Sequence, residues 1–350
     1  MNNQYDILVV GGGPGGAVAA KTAAKAGLSV LLVEKRPAVG IPVRCAESIS
    51  KKNLAEFIQA DQKIISAEIT KTRITTENGK TETIPTDGYI LNRKTFDREL
   101  IWQAAEAGAE IQVHARAAEP IIENDTVCGA VIEQHGKRHS VRAKIVISAD
   151  GIESAFARRA GIHTTLPLAE IRTALQYGVT GIDICQTERR IHLIGKEDPI
   201  GYLWVYPKGN RSANIGVAIL GAETGDGHRP ADCLDRFLLE HYPEGKITER
   251  TAGGIPLSCP LKETAKAGLL IIGDAARLTN PVTGQGIYHA LLSGKLAAET
   301  AVSAIQNGDT GKKALMAYDK AWRQSIIGKN TIAEKLSFQT LIQAETRPEH

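Results

Sequence analysis

The sharpest hydrophobic pattern in the chain lies near its start. An apolar run at residues 7–10 gives way to glycines, then to a stretch of small residues, and a second apolar run at 30–33 closes on Glu34. Short continuous apolar runs bounded by turn residues are what fully covered strands of a parallel sheet require. The segment therefore predicts strand, tight turn, helix and strand. A second helix is expected from Asn92, a suitable N-cap, with Phe96, Leu100, Ile101 and Ala104 on one face. Gly108 closes it, and residues 111–114 read as a third strand. Residues 127–133 and 138–142 alternate as a small antiparallel meander would, and 144–149 form a further apolar strand stopped by Asp150-Gly151.

Beyond residue 164 the pattern changes to period two. Strands are expected at 171–179, 191–195, 202–206 and 213–220, which together make an antiparallel sheet. An apolar strand at 269–272 then leads into a glycine-punctuated turn and a helix. The predicted fold class is α/β: a discontinuous Rossmann-like dinucleotide-binding domain with an inserted antiparallel-sheet substrate domain. The expected divisions are 1–163 for the first parts of the nucleotide domain, with a strand pair near 64–85 joining the inserted sheet. The sheet domain itself takes 164–261, the nucleotide domain resumes over 262–325, and 326–350 opens a C-terminal helical segment.

Composition narrows the class without naming it. The 350 residues are 43% hydrophobic and 23% charged, as in ordinary globular proteins. A net charge of +3 with no basic run gives no reason to expect nucleic acid. No apolar stretch reaches the roughly 18 residues of a membrane span, and Asp6 interrupts any signal-peptide pattern. The five cysteines are scattered and show no C-x-x-C pair, which points to a reducing cytoplasm and to no metal site.

The glycines at the first turn, Gly11, Gly13 and Gly16, have G-x-G-x-x-G spacing, with Gly15 in the same turn. The first permits the tight turn, the second lets backbone approach a pyrophosphate, and the third lets helix and strand pack closely. The helix N-terminus offers N–H groups and a positive dipole end to the phosphates. Glu34 is placed to accept from ribose hydroxyls. Two later segments point to the same ligand. In 147–161 a strand ends at Asp150-Gly151. In 269–299 a strand delivers Gly273-Asp274, whose carboxylate suits a ribityl hydroxyl. The turn from Pro281 through Gly284 to Gly286 then opens a helix at Ile287, whose amides suit negative charge on a reduced flavin.

Over roughly residues 5–300 these three fingerprints resemble the FAD-dependent oxidoreductases of the para-hydroxybenzoate hydroxylase type. The resemblance implies FAD as the dinucleotide, with Asp274 on the ribityl chain and Gly286 and Ile287 beside the flavin. It further implies Arg93 facing the phosphate and ribityl region, Ala117 at the adenine, and Asp150 among the cofactor contacts. Residues 40–54, GIPVRCAESISKKNL, resemble the loop of geranylgeranyl reductases in which a cysteine lies against the isoalloxazine. That likeness implies cofactor contacts from Arg44, Cys45, Ala46 and Ser48, although Ser48 stands where the family has glycine. Residues 202–219, YLWVYPKGNRSANIGVAI, resemble the same family's substrate-sheet motif. The chain stops where family members usually continue through a C-terminal helical segment.

On a strand, Tyr202, Trp204 and Tyr206 share one face, a flat apolar wall suited to an isoprenoid chain or to a sheet core. Lys208 could answer an anionic headgroup, and Cys45 is the candidate proton donor; His289 reads as packing. The expectation is an FAD-dependent reductase that saturates isolated double bonds of geranylgeranyl chains in a prenylated phospholipid. An aromatic monooxygenase of the same fold and a non-catalytic flavin-containing isoprenoid-binding protein stand as alternatives. The partners expected are the geranylgeranylated lipid and an external electron donor: a ferredoxin, a reduced deazaflavin or NAD(P)H. A cytoplasmic protein held peripherally at the membrane follows from that substrate, and no nucleic acid is expected.

Overall fold

The computed structural model describes residues 2–195, 201–226 and 228–345. It separates into two compact units. The first comprises Met1–Ile41, Asp97–Thr165 and Pro256–His350; the second comprises Pro42–Phe96 and Leu166–Ile255.

The first unit is built on an eight-stranded sheet. Strand Gln4–Val10 lies parallel to Val30–Glu34 on one side and to Lys137–Ser148 on the other, with Ile7 opposite Val30 and Ile145. Glu110–Val113 and Leu269–Ile271 extend the parallel run outward. Ile7, Leu8 and Val9 have no exposed surface; the alanines of Pro14–Lys25 and Ala115, Val127, Ala130 and Ile132 of the antiparallel strands Ala115–Glu123 and Thr126–Gln134 share their core. Lys137–Ser148 is one strand, where the sequence pattern marks two pieces. Residues 137–142 pair antiparallel with Thr126–Gln134 and bury only Val141; Ile145–Ser148 are buried without a break in the parallel sheet. The change in environment, not a break in the chain, makes the apparent boundary.

Helix Pro14–Lys25 packs its alanines on this sheet and meets helix Ile287–Gln306 at glycines. A Cβ on Gly294 would lie 2.2 Å from the Gly15 carbonyl oxygen, so this helix pair requires glycine there. Helix Lys312–Gln324 drives Leu315, Tyr318 and Trp322 into the same core. Each such fully buried side chain contributes on the order of 1.5–3 kcal/mol.

The second unit is a separate eight-stranded sheet. Its centre is Ile171–Thr180, Ser212–Leu220, Gly201–Pro207 and Glu188–Ile194, paired antiparallel in that order except that the last then lies parallel to Ile65–Thr75. The hairpin Ile65–Thr75 and Thr81–Leu91, the short strand Ser48–Ser50 and, at the other edge beside Ile171–Thr180, Lys246–Pro256 complete it. The whole of 42–96 therefore leaves the nucleotide unit, a longer excursion than the strand pair near 64–85. Alternation sends side chains of Gly201–Pro207 to opposite faces. Leu203 and Val205 join Ile215, Val217 and Ile219 under helix Pro230–His241, whose Leu234, Phe237 and Leu238 cover them. Trp204 and Tyr206 face the other way, among Ile69, Ile90, Ala218 and Ala46. Among the described residues no helix is long and apolar enough to cross a membrane.

Candidate flavin and substrate site

The glycine turn of the first unit shows three separate reasons for glycine. Gly11 sits at φ +112° with a would-be Cβ 2.4 Å from the Ala149 carbonyl oxygen, and a Cβ on Gly16 would lie 2.0 Å from the Gly11 oxygen. A Cβ on Gly15 would lie 2.8 Å from the Ala290 carbonyl oxygen, so helix packing also selects glycine there. Gly13 differs: a Cβ there would meet no protein atom within 4 Å. It is the N-cap of helix Pro14–Lys25, and no side chain caps that end. The helix thus presents its N-terminal amides to open space, the arrangement that favours a phosphate.

Glu34 closes the other side. Its carboxylate accepts from the amides of Gly12 at 2.8 Å and Arg36 at 2.9 Å, which fixes its orientation and leaves lone pairs for a ribose. Ala117 is half-buried on Ala115–Glu123, in register with Ile132. Asp150 accepts from Ser148 Oγ at 2.6 Å and from the Phe156 amide at 2.9 Å. Burial raises its carboxyl above the usual carboxylate range, and these two bonds oppose the rise. Asp150 therefore ties down the start of helix Ala155–Arg159, which its neighbour Ser154, at φ +40°, does not cap.

The Gly-Asp segment forms a 3₁₀ turn, Gly273–Ala276. Thr279 Oγ1 donates to Asp274 Oδ1, and Gly286 abuts both, with a would-be Cβ 3.1 Å from Thr279 Oγ1 and 3.4 Å from Asp274 Oδ1. Between them Asn280 Oδ1 accepts from the amides of Val282 and Thr283, at 3.0 and 2.9 Å, and Gly284, at φ +69°, completes the turn after the buried Pro281. Helix Ile287–Gln306 then starts from Gly286, again without a side-chain cap. The uncapped helix ends, the unfilled space at Gly13 and the carboxylates Glu34 and Asp274 fit the phosphates, sugars and electron-rich ring edge of FAD. His289, one turn into the second helix, is buried and bonded through Nε2 to Thr331 Oγ1 at 2.9 Å, a packing role.

The loop that carries Cys45 belongs to the second unit. Cys45 is half-buried, with Sγ accepting from the Glu47 amide at 3.2 Å. Arg44 is exposed and lays its stem near Gly253; Ala46 packs on the aromatic face. Ser48 Oγ accepts from Arg189 at 2.7 Å. The Arg93 amide donates to Glu47 Oε1 at 2.8 Å, so this position's backbone is committed at the start of helix Arg93–Glu106.

Tyr202, Trp204 and Tyr206 do share one face. Trp204 lies flat over Gly216, where a Cβ would come within 2.1 Å of its ring, and donates to Gln176 Oε1 at 3.1 Å. Trp204 and Tyr206 are buried, while Tyr202 keeps part of its surface. Burial raises the Tyr202 hydroxyl to about 12 against the opposing charge of Arg172, whose guanidinium lies 5.3 Å from the ring. Lys208 is held within the protein, its Nζ 2.6 Å from Glu47 Oε2 and 2.5 Å from the Leu91 carbonyl.

Sequence reasoning passed over Glu47, Asn214, Gln176 and Arg172, which hold this face together. One signal was available: Arg172, Gln176 and Asn214 are polar residues inside apolar-patterned strands. Among the described residues, no group of three or more histidine, cysteine or acidic side chains could hold a metal ion.

Known proteins share this chain's fold and family. Residues 4–326 match the FAD binding domain family. The digeranylgeranylglycerophospholipid reductase of Methanosphaerula palustris is 50% identical over 335 residues, which is 94% of this chain and 84% of that protein. The reductase of the same name from Methanoculleus marisnigri is 50% identical over 341 residues, 96% of this chain and 85% of that one. A geranylgeranyl bacteriochlorophyll reductase-like protein from Thermoplasma acidophilum has a TM-score of 0.92 at 37% identity, over 97% of this chain and 87% of that one. The halogenase PltM, solved with FAD, is 17% identical at a TM-score of 0.70 and shares the fold alone. The cradle of the first unit, the Cys45 loop with its aromatic sheet face, and these relatives together place the chain in the geranylgeranyl reductase family of FAD-binding-domain flavoproteins.

Proposed function

We propose that this protein saturates isolated double bonds in the geranylgeranyl chains of a prenylated glycerophospholipid. The observation that carries the reading is 50% identity, over nearly the whole chain, to reductases named for that lipid. The apposition of the Cys45 loop and the aromatic face within one unit supports it. Reduced FAD supplies a hydride. The glycine turn, Glu34 and Asp274 bind and orient the cofactor. The aromatic face of Tyr202, Trp204 and Tyr206 aligns an isoprenoid chain and excludes water from it. An unactivated trisubstituted alkene is electron-rich, so hydride transfer needs a proton at the less substituted carbon. Cys45 is the proton source in this scheme, its Sγ oriented by the Glu47 amide.

The same reading places the protein peripherally at a membrane surface, since its substrate is a lipid and no described helix spans one. Electrons come from an external carrier, because the five cysteines form no cluster for an internal relay. The test is anaerobic. Photoreduced enzyme is mixed with a geranylgeranylated glycerophospholipid while flavin reoxidation and product mass are followed. Stoichiometric reoxidation with gain of H₂ per alkene supports the proposal. Reduced flavin that ignores the lipid and reoxidises rapidly in air rejects it in favour of a monooxygenase. Flotation with anionic and neutral vesicles tests the membrane reading, which absence of binding at physiological salt would reject.

A further inference from the structure

We infer that Glu47, locked in an ion pair with Lys208, is the positioning residue of the Cys45 turn. This inference rests on the proposed role of Cys45. It links the two segments that resemble the geranylgeranyl reductases, since Glu47 comes from the first and Lys208 and Asn214 from the second.

Every hydrogen-bonding atom of Glu47 is engaged. Its amide donates to Cys45 Sγ at 3.2 Å, and its carbonyl accepts from the Leu91 amide at 2.8 Å. Oε1 accepts from the Arg93 amide at 2.8 Å; Oε2 accepts from Lys208 Nζ at 2.6 Å and from Asn214 Nδ2. The side chain is only 5% exposed, so its charge is compensated by Lys208 rather than by water. Glu47 also sits at φ +72°, a left-handed conformation that is unfavourable for a non-glycine residue. Such a conformation persists only when surrounding contacts over-determine it. Here the contacts come from Leu91, Arg93, Lys208 and Asn214, on three different parts of the second unit. The strained φ aims the Glu47 amide at the thiol, and the carboxylate holds the φ. Both Glu47 and Lys208 line a polar cavity of about 260 Å³, with Asn92, Gln176 and Asn214.

The closing experiment uses FAD-loaded enzyme and reads the thiol directly as well as turnover. Glu47→Gln keeps the shape and removes the charge. Iodoacetamide modification of Cys45 is followed by peptide mass across pH, and kcat and KM are measured with the geranylgeranylated lipid and dithionite-reduced enzyme. Release of the thiol from its amide removes a donor that stabilises the thiolate and should change the alkylation rate roughly fivefold, the equivalent of one net hydrogen bond of about 1 kcal/mol. Misplacement of the thiol by about 1 Å should lower kcat by up to about a hundredfold while KM changes little. An unchanged Cys45 alkylation profile overturns the inference. A changed profile with unchanged kcat supports the positioning role and instead removes Cys45 from the proposed reaction. If Glu47→Gln does not accumulate with FAD, Lys208→Met tests the same contact from its more exposed side, with the same outcomes deciding.

Discussion

Gly13 and Gly16 belong to one glycine motif, yet the structure assigns them opposite consequences on substitution. Gly16→Ala places a Cβ 2.0 Å from the Gly11 carbonyl oxygen, a contact no side chain tolerates. The strand-to-helix turn must open, at about 1–3 kcal/mol for overpacking. For a domain of about 150–250 residues, that lowers Tm by roughly 2–4 °C per kcal/mol. Gly13→Ala meets no protein atom within 4 Å and needs only φ −73°, which alanine adopts freely. Its cost to the apoprotein is the N-cap difference alone, about 1 kcal/mol or less. Its Cβ instead fills the space through which phosphate approaches the helix end. Loss of one charge-assisted hydrogen bond, about 1.5–3 kcal/mol, weakens FAD binding about 10- to 150-fold. The assay pairs thermal melts of the apoproteins with FAD titration by fluorescence quenching. Gly13→Ala binding FAD within twofold of the parent would refute the placement of the pyrophosphate. An unchanged apoprotein Tm for Gly16→Ala would refute the packing argument.

Three further outcomes are expected. Cys45→Ala should retain full FAD content and lose lipid reduction; undiminished turnover removes Cys45 from the proton path. Gly216→Ala brings a Cβ within 2.1 Å of the Trp204 ring and should cost about 1–3 kcal/mol; a melt and a tryptophan emission spectrum both identical to the parent's would contradict the flat stacking. Burial, and then the charge of Lys335, depress the His289 imidazole from 6.5 to about 4. The unfolded chain therefore takes up a proton near pH 6.5 that the folded state refuses until near pH 4. Stability is full above pH 6.5 and falls by about 1.4 kcal/mol per pH unit below it, about 3 kcal/mol in all. His289→Gln should flatten that slope in urea titrations, and an unaltered slope would exclude His289 as its source.

The strand–turn–helix–strand opening, the Gly-Asp turn before Ile287–Gln306 and the alternating strands of the second sheet are legible from the chain alone. Each is a pattern within one or two elements, and hydrophobic period and turn chemistry act at that range. From the same short-range pattern follow the dinucleotide fold and a single aromatic face on Gly201–Pro207; FAD follows from the family resemblance that the three fingerprints carry. What the tertiary structure decided lies at long range. Lys137–Ser148 is one strand because two different neighbours pair with its halves, which no local period records. Segment 42–96 joins the second unit because its hairpin finds the edge of Glu188–Ile194, well over a hundred residues onward. Glu47 reads in sequence as an ordinary acidic residue beside a cysteine. Its left-handed backbone and its partners Arg93, Lys208 and Asn214, up to 167 residues away, exist only once the sheet has formed. A buried charge is stable only when a partner is delivered to it, and delivery across such distances is a property of the folded topology.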